Sequence, residues 1–194
     1  MVAVEGEDFR WQLQRAPASL GAELAELEAT LRQPLAAGYV SEFCPTLAPL
    51  IASLAASLKR GAMLFIDYGY PRAAYYHPER SMGTLMCHYR QRAHGDPFLY
   101  IGLQDITAFV DFSAVAEAGT AAGLELAGYS TQAHFLLALG IAEAALNADV
   151  KAVQQVKLLT LPEEMGERFK AIGFLKDLDL HLKGFSLRDL SHQL

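Results

Sequence analysis

The side chains that could do chemistry gather in two stretches of the sequence. In the first, five apolar residues from Ala62 to Ile66 run into Asp67, Tyr68 and Gly69. A short unbroken apolar run that ends in turn residues is typical of a central parallel strand buried on both faces. Ligands of open α/β sheets bind outside the carboxyl ends of such strands, so we expect Asp67 and Tyr68 on the functional rim. The alternative is that Asp67 only caps the following turn.

The second stretch is Gln104-Asp105-Ile106-Thr107, with Asp111 a few residues beyond. On a strand Asp105 and Thr107 face the same side, so a carboxylate and a hydroxyl could together orient a cationic or hydroxylated group. The alternative is that these side chains only satisfy the start of the next helix.

The loop sequence Gly83-Thr84-Leu85 lies between these two stretches. Its glycine could permit a close approach of the backbone to another group, although a plain turn is the simpler interpretation.

The histidines and serines support neither a metal site nor a hydrolase. His88 beside Tyr89 could act as an acid/base pair, but a solvated histidine is the simpler interpretation, and His134 lies on an apolar face. The histidines share no ligand spacing, so we predict no zinc or other metal site. A hydrolase would use Asp67 or Ser81, and the sequence has no G-x-S-x-G turn to support one.

Composition limits the class of partner. The 194 residues carry a formal net charge of −6. This charge gives no indication of nucleic-acid binding, but it is compatible with a basic protein segment as partner. Cys44 and Cys87 match no metal spacing and suggest reduced thiols in a reducing compartment. We expect no signal peptide and no membrane span, because the apolar stretch Leu47–Leu58 is short and interrupted by serines. A hydrophobic content of 52% indicates a fully covered sheet, or a surface that another element covers.

Residue periodicity predicts an α/β chain. Val2–Val4 and Phe9–Leu13 flank a turn and predict a hairpin, and leucines at helical spacing predict helices over Leu20–Leu31 and Leu47–Lys59. Further helices are predicted over 112–123, 132–139 and 149–159. Strands are predicted over 124–129 and 169–174, and 178–182 is predicted to be an antiparallel neighbour of the second of these. The segment 71–97 is predicted to be an irregular functional loop. A helix that leads into a buried strand is half of a βαβ crossover, which requires a preceding parallel strand. None is seen upstream, so we expect the chain to begin in the middle of a fold.

Several blocks become specific when they are taken together. They are Glu42 in SEF, GAMLFIDYGYP at 61–71, ERSMGTLMCHYRQR at 79–92, DPF at 96–98, GLQDITAFVDFS at 102–113, STQAHFLLALGI at 130–141 and MGERFKAI at 165–172. In this order they resemble the carboxy-terminal part of the MidA-like family of S-adenosylmethionine-dependent methyltransferases. That family includes the mitochondrial complex I assembly methyltransferase.

The resemblance implies a partial Rossmann-like class I methyltransferase fold, in which Met63–Tyr68 is the fifth strand of a seven-stranded sheet. It implies methyl transfer from S-adenosylmethionine, with a protein arginine as acceptor in the mitochondrial member. Carboxylates would then hold a guanidinium that is always protonated, and the catalytic candidates are Asp67, Asp105 and Asp111. The candidate substrate-binding residues are Glu42, Tyr68, Gly83, Thr84, Tyr89, Gln104 and Thr107.

The sequence departs from the family in lacking the glycine-rich cofactor loop and the ribose-binding acid. We therefore expect a single domain over 1–194 that is a carboxy-terminal portion, with a hairpin and helix insertion at 1–37 and the second half of the methyltransferase domain at 38–194. Its own cofactor-binding residues are unknown, and we expect this chain alone to bind S-adenosylmethionine poorly or not at all.

The expected partners are a protein substrate and a second copy bound through the exposed side of the sheet, with neither nucleic acid nor membrane. The alternative function is a non-catalytic interaction module derived from the same fold. The expected location is the cytoplasm of a bacterium, or the mitochondrion if the source is eukaryotic.

Overall fold

The computed structural model describes residues 1–146 and 148–194, which form two compact units. The first unit joins residues 1–45 to residues 76–109, and the second joins residues 46–75 to residues 110–194. The expectation of a single domain with an insertion at 1–37 stays a prediction.

The described part of the chain is built from short helices and strands. In chain order they are β1 (Val2–Glu5), β2 (Asp8–Trp11), α1 (Ala18–Thr30), α2 (Leu47–Ser57), β3 (Gly61–Tyr70), α3 (Arg72–Tyr75), β4 (Met86–Tyr89), β5 (Arg92–His94), β6 (Asp105–Thr107), β7 (Val110–Asp111), α4 (Phe112–Ala121), β8 (Glu125–Thr131), α5 (Gln132–Ala138), α6 (Ile141–Ala145), α7 (Val150–Thr160) and β9 (Phe169–Lys176).

The first unit holds two small antiparallel sheets. β1 and β2 form the predicted hairpin, with Val2 opposite Trp11 and Glu5 opposite Asp8. Its turn contains Gly6 at a φ of +67°, a conformation that glycine adopts without steric cost. In the second sheet β4 lies between β5 and β6 and is antiparallel to both.

The second unit is built on a four-stranded sheet in the order β7-β3-β9-β8. β9 is antiparallel to β3 and to β8, while β7 runs parallel to β3 over two residue pairs. α2 and α4 pack on one face of this sheet, where Phe112, Ile172 and Phe174 are fully buried. Burying a side chain of this size contributes about 1.5–3 kcal/mol. Successive residues of β9 point to opposite faces, so Ala171, which packs with Phe135 of α5, belongs to the other face.

The prediction that the apolar run in β3 is buried on both faces is wrong. Leu64 is 45% exposed and Ile66 is 43% exposed, whereas Met63 and Phe65 pack against the core. Along Gly61–Tyr68 the neighbour of β3 is the antiparallel β9 on one side, and β7 pairs only beyond this segment. An unbroken apolar run specifies a strand but does not specify how many of its faces another element covers.

Two further predictions differ from the structure. The segment 71–97 is less irregular than predicted, because it contains α3, a 3₁₀ turn at Pro78–Arg80 and the β4–β5 hairpin. Among the described residues no strand forms over 178–182, and a 3₁₀ turn at Lys183–Phe185 follows instead. No helix in the described part of the chain is both long and apolar enough to cross a membrane.

Candidate functional site

Asp67 and Tyr68 lie near the carboxyl end of β3, as predicted. Asp67 is half-buried, and its Oδ1 accepts a hydrogen bond from the Tyr68 backbone N–H at 2.8 Å. No other partner of this carboxylate is found among the residues that the structure describes. A carboxylate offers about four acceptor positions, so Asp67 retains capacity for a cationic or hydroxylated ligand.

A buried lysine that the sequence analysis missed lies opposite this carboxylate. Lys170 on β9 pairs in register with Asp67 on β3 and with Thr131 on β8, so the three share one face of the sheet. Lys170 is only 8% exposed, and its Nζ donates to the backbone oxygen of Glu167. Burial lowers the pKa of Lys170, and the neighbouring Glu167 carboxylate partly opposes this effect. The available signal was a single charge inside the apolar strand sequence FKAIGF.

Asp111 is held by the structure around the start of α4. Its Oδ1 accepts from the backbone N–H groups of Ser113 and Ala114 at 3.0 and 3.2 Å, which caps the helix. Its Oδ2 accepts from Nε of Arg72 at 3.3 Å. Burial raises the pKa of Asp111 despite the guanidinium of Arg72 and the two backbone hydrogen bonds, all of which lower it. Asp111 thus stabilises this corner of the second unit, and its catalytic role stays a prediction.

Arg72 links Asp111 to a second acid. Its Nη1 donates to Glu117 at 2.6 Å, and its backbone N–H donates to the Ser113 hydroxyl at 2.9 Å. The hydrogen bond to Glu117 is the main cause of the raised pKa of Arg72. The fully buried Tyr129 lies in the same core, and its hydroxyl has no hydrogen-bond partner among the described residues. Burial, and secondarily Asp111, raise the pKa of Tyr129.

In the first unit, Glu42 joins the loop that holds Gly83 and Thr84. Its carboxylate accepts from the backbone N–H groups of Thr84 and Leu85 at 2.9–3.0 Å and from the Thr84 hydroxyl at 2.8 Å. The Thr84 oxygen in turn accepts from the Phe109 N–H at 2.9 Å. Gly83 has a φ of +74°, and a Cβ at this position would collide with the Glu42 carboxylate. The structure therefore brings these three predicted residues together, and the contacts that it shows are structural.

In the predicted Gln104-to-Thr107 stretch, Asp105–Thr107 forms β6 and Gln104 precedes the strand. Asp105 is exposed and lies opposite His88, while the Thr107 hydroxyl donates to the backbone oxygen of Met86 at 3.1 Å. Gln104 Nε2 donates to the Pro97 backbone oxygen at 2.9 Å and closes a loop between β5 and β6. No hydrogen bond or ion pair of the Asp105 carboxylate is found among the described residues, so this exposed acid is available to a ligand.

Tyr89 belongs to an aromatic pair in the same unit. Its ring stacks on Tyr100 with centroids 4.2 Å apart and planes inclined by 19°. The guanidinium carbon of Arg90 lies 5.3 Å from the centre of the Tyr89 ring, which is a cation–π distance. The rings of His94 and Tyr100 are arranged edge to face, with their centroids 5.9 Å apart. Of these residues, Tyr89 alone was identified from the sequence.

The candidate residues thus divide between the two units. Asp67, Tyr68 and Asp111 lie in the second unit, and Glu42, Gly83, Thr84, Tyr89, Gln104, Asp105 and Thr107 lie in the first. Within the described ranges, no three His, Cys, Asp or Glu side chains come together in a way that could hold a metal ion.

The family model that matches this sequence is described as "Putative S-adenosyl-L-methionine-dependent methyltransferase" and covers residues 1–130. The chain belongs to this family. The match agrees with the resemblance to MidA-like methyltransferases and identifies S-adenosylmethionine as the cofactor of the family. No match was found among curated proteins.

Two solved structures from Burkholderia thailandensis are similar to the whole chain. One is a COG1565 superfamily member bound to S-adenosyl-homocysteine, with 43% sequence identity and a TM-score of 0.88. The other is a native crystal structure of an uncharacterized COG1565 superfamily protein, with 42% identity and a TM-score of 0.88. Both matches cover 100% of this chain but only 51% and 52% of the Burkholderia chains, so this methyltransferase-family chain spans about half their length. The similarity confirms the predicted α/β methyltransferase fold class.

The described residues fit S-adenosylmethionine in part. The half-buried carboxylate of Asp67, with spare acceptor capacity at the end of β3, suits a cationic or hydroxylated group of the cofactor or of its acceptor. Among the described residues, however, no glycine-rich turn follows a strand in the pattern that binds nucleotides. Asp67 is therefore the described residue whose chemistry suits the cofactor or its acceptor.

Proposed function

We propose that this chain is the acceptor-side part of an S-adenosylmethionine-dependent methyltransferase that modifies arginine side chains of a protein. The observation that carries the proposal is the Burkholderia structure bound to S-adenosyl-homocysteine, which is 43% identical over the full length of this chain. S-adenosyl-homocysteine is what remains of S-adenosylmethionine after its methyl group has been transferred. The finer claim, arginine in a protein, is supported by the resemblance to the MidA-like family.

In this proposal the chain's own residues position the acceptor. When bound, S-adenosylmethionine supplies an electrophilic methyl group on a sulfonium. Transfer then depends mainly on holding the acceptor nitrogen in line with that methyl group. A guanidinium offers five N–H donors and no acceptor, so carboxylates are its natural partners. Asp67 and Asp105 suit this role because neither is bound to a cation in the described structure.

Asp111 would support the site without contacting the acceptor. Its carboxylate already caps α4 and pairs with Arg72, so it would hold the end of the sheet in place. Glu42, Gly83 and Thr84 would likewise fix the loop that leads into β4. We also propose that this chain needs the remaining part of the relatives' chain to bind the cofactor, because no glycine-rich nucleotide-binding turn is found among the described residues.

A chimera tests the proposal. This chain replaces the matching half of the Burkholderia protein, and the chimera is assayed by calorimetry with S-adenosyl-homocysteine and by transfer of a labelled methyl group to proteins of a cell extract. We expect binding of S-adenosyl-homocysteine and label on arginine. Asp67→Asn should reduce transfer by at least about tenfold through loss of acceptor positioning, whereas Asp8→Asn in the exposed hairpin should not.

Three outcomes would contradict parts of the proposal. A folded chimera that binds S-adenosyl-homocysteine without transferring label would favour a non-catalytic interaction module. Label on lysine alone would contradict the arginine assignment. Tight binding of S-adenosylmethionine by the 194-residue chain alone would contradict the claim that the other part is required.

We further propose that the protein works in the bacterial cytoplasm. The bacterial source of both similar structures supports this, and neither Cys44 nor Cys87 forms a disulfide in the described structure.

A further inference from the structure

We infer that the stacked pair Tyr89–Tyr100 is a docking platform for an arginine side chain of a partner protein, and that Arg90 of this chain occupies it when no partner is bound. The inference concerns recognition of the substrate and so builds on the methyltransferase function proposed above. Its test, however, requires no S-adenosylmethionine and no methyl transfer.

The first observation is that a guanidinium already lies on the platform. The carbon at the centre of the Arg90 guanidinium is 5.3 Å from the centre of the Tyr89 ring. Arginine stacks on aromatic faces more readily than lysine does, because its planar cation is weakly hydrated. This internal contact shows the chemistry that the ring accepts.

The second observation is the way in which Tyr100 is held. Its φ is +50°, a left-handed conformation that is unfavourable for a non-glycine residue. Tyr100 is nonetheless 50% exposed while its ring stacks on Tyr89. A strained residue that keeps an aromatic ring at the surface is a recurrent feature of ligand-binding sites. Arg90 and Gln91 also have positive φ values, but these form the tight turn between β4 and β5 and need no functional explanation.

The third observation is unmet hydrogen-bonding capacity beside the platform. Both ring nitrogens of His94, whose edge meets Tyr100, are buried without a partner among the described residues. The same holds for Oε1 of Gln104, which closes the loop that carries Tyr100. Buried polar atoms usually have partners, and those that do not call for an explanation. In neutral His94 one ring nitrogen is an acceptor and the other is a donor, so the unmet acceptors are one His94 nitrogen and Oε1 of Gln104. A ligand with many N–H donors suits these buried acceptors through a bridging water.

The charge of the chain agrees with a cationic partner. The formal net charge is −6, and Asp105 is exposed on β6, which belongs to the same sheet as Tyr89. Because Arg90 would compete for the Tyr89 ring, its removal should strengthen binding of an arginine from another molecule.

The experiment uses this chain and three short peptides that differ at one central residue: arginine, lysine or the neutral isostere citrulline. Binding is followed by NMR through labelled tyrosine ring resonances. We expect the arginine peptide to shift the resonances of Tyr89 and Tyr100, the lysine peptide to bind more weakly, and the citrulline peptide to bind least. Arg90→Gln should tighten arginine binding about two- to fivefold, which is the range expected for loss of a competing exposed cation–π contact.

The control is Arg92→Gln, which removes the same charge from an exposed position of the same hairpin. Equal effects of the two variants would show a general charge effect and overturn the role of Arg90. Equal binding of the arginine and citrulline peptides, or no shift of either tyrosine, would overturn the platform itself. Tyr100→Leu should abolish the preference for arginine. If that variant does not fold, the Arg90 and Arg92 comparison alone decides, because both side chains are exposed.

Discussion

The carboxylate of Glu42 gives a sharp test of how the first unit is held together. In Glu42→Gln, one oxygen remains to accept from the backbone N–H groups of Thr84 and Leu85, while the other becomes an NH₂ donor. The Thr84 oxygen already accepts from the Phe109 N–H, so it is poorly placed to accept this new donor as well. At least one buried donor loses its partner, and the remaining hydrogen bonds lose their charge assistance. Together these losses should cost about 2–4 kcal/mol.

Two measurements check this value. Urea denaturation should show a lower free energy of unfolding, out of a total of roughly 5–15 kcal/mol for a typical native protein. Hydrogen exchange should show that the amides of Thr84, Leu85 and Phe109 open more easily, by about 30-fold for each 2 kcal/mol lost. The matched control is Glu79→Gln, whose side chain is 91% exposed. If Glu42→Gln lies within about 0.5 kcal/mol of this control, the carboxylate does not hold the loop and the reasoning fails.

Three further predictions concern the second unit. Asp111→Asn keeps an oxygen that caps α4 and removes a charge that burial already disfavours, so urea denaturation should show a free energy of unfolding lower by less than about 1 kcal/mol. Asp111→Ala should lower the free energy of unfolding by about 1–2 kcal/mol more, because it removes both the cap and a partner of Arg72. Burial lowers the pKa of Lys170, so the unfolded chain binds more protons than the folded chain at pH values between that lowered pKa and the ordinary one. In that window the stability of the protein relative to a Lys170→Met variant should rise with pH. Thermal melts of both proteins at several pH values measure this difference in stability, and a difference independent of pH would contradict the assignment. If a second copy covers the open side of β3, Leu64→Lys should weaken concentration-dependent association in sedimentation experiments. The control Leu137→Lys on α5 should not, although Leu137 is 40% exposed against 45% for Leu64. A monomer at all concentrations would contradict the predicted oligomer.

The sequence predicted best those elements whose local signals agree with their packing. The Val2-to-Trp11 hairpin has turn residues between two short runs, and the helix from Leu47 has an apolar stripe followed by Gly61. Both formed with ends within two residues of the prediction, since the helix that we expected to end at Lys59 ends at Ser57. The apolar run of β3 was misread because a strand that is covered on one face can have the same composition as one that is covered on both.

The site was less accessible to sequence reasoning because its contacts join distant residues. Glu42 and Thr84 are 42 positions apart; the loop pattern pointed to Thr84, but only the family resemblance pointed to Glu42. Lys170 was missed because an isolated charge in a strand is normally a residue at the edge of the core, and burial is visible only in the folded chain. Tyr100 carried no signal at all, because a positive φ at a tyrosine cannot be read from residue type.

The candidate acids differ in whether hydrogen bonds within the chain already use their carboxylates. The acids that the sequence singles out are of two physical kinds: Glu42 and Asp111 are occupied by hydrogen bonds within their own unit, and Asp67 and Asp105 are not. A carboxylate that already satisfies several donors cannot bind a guanidinium without breaking those bonds, which costs about as much as it gains. Under the proposed function, we expect a cationic group to bind to Asp67 in the second unit, or to Asp105 and the exposed aromatic rings in the first unit. Glu42 and Asp111 should instead determine how well the loops around them are ordered, each within its own unit.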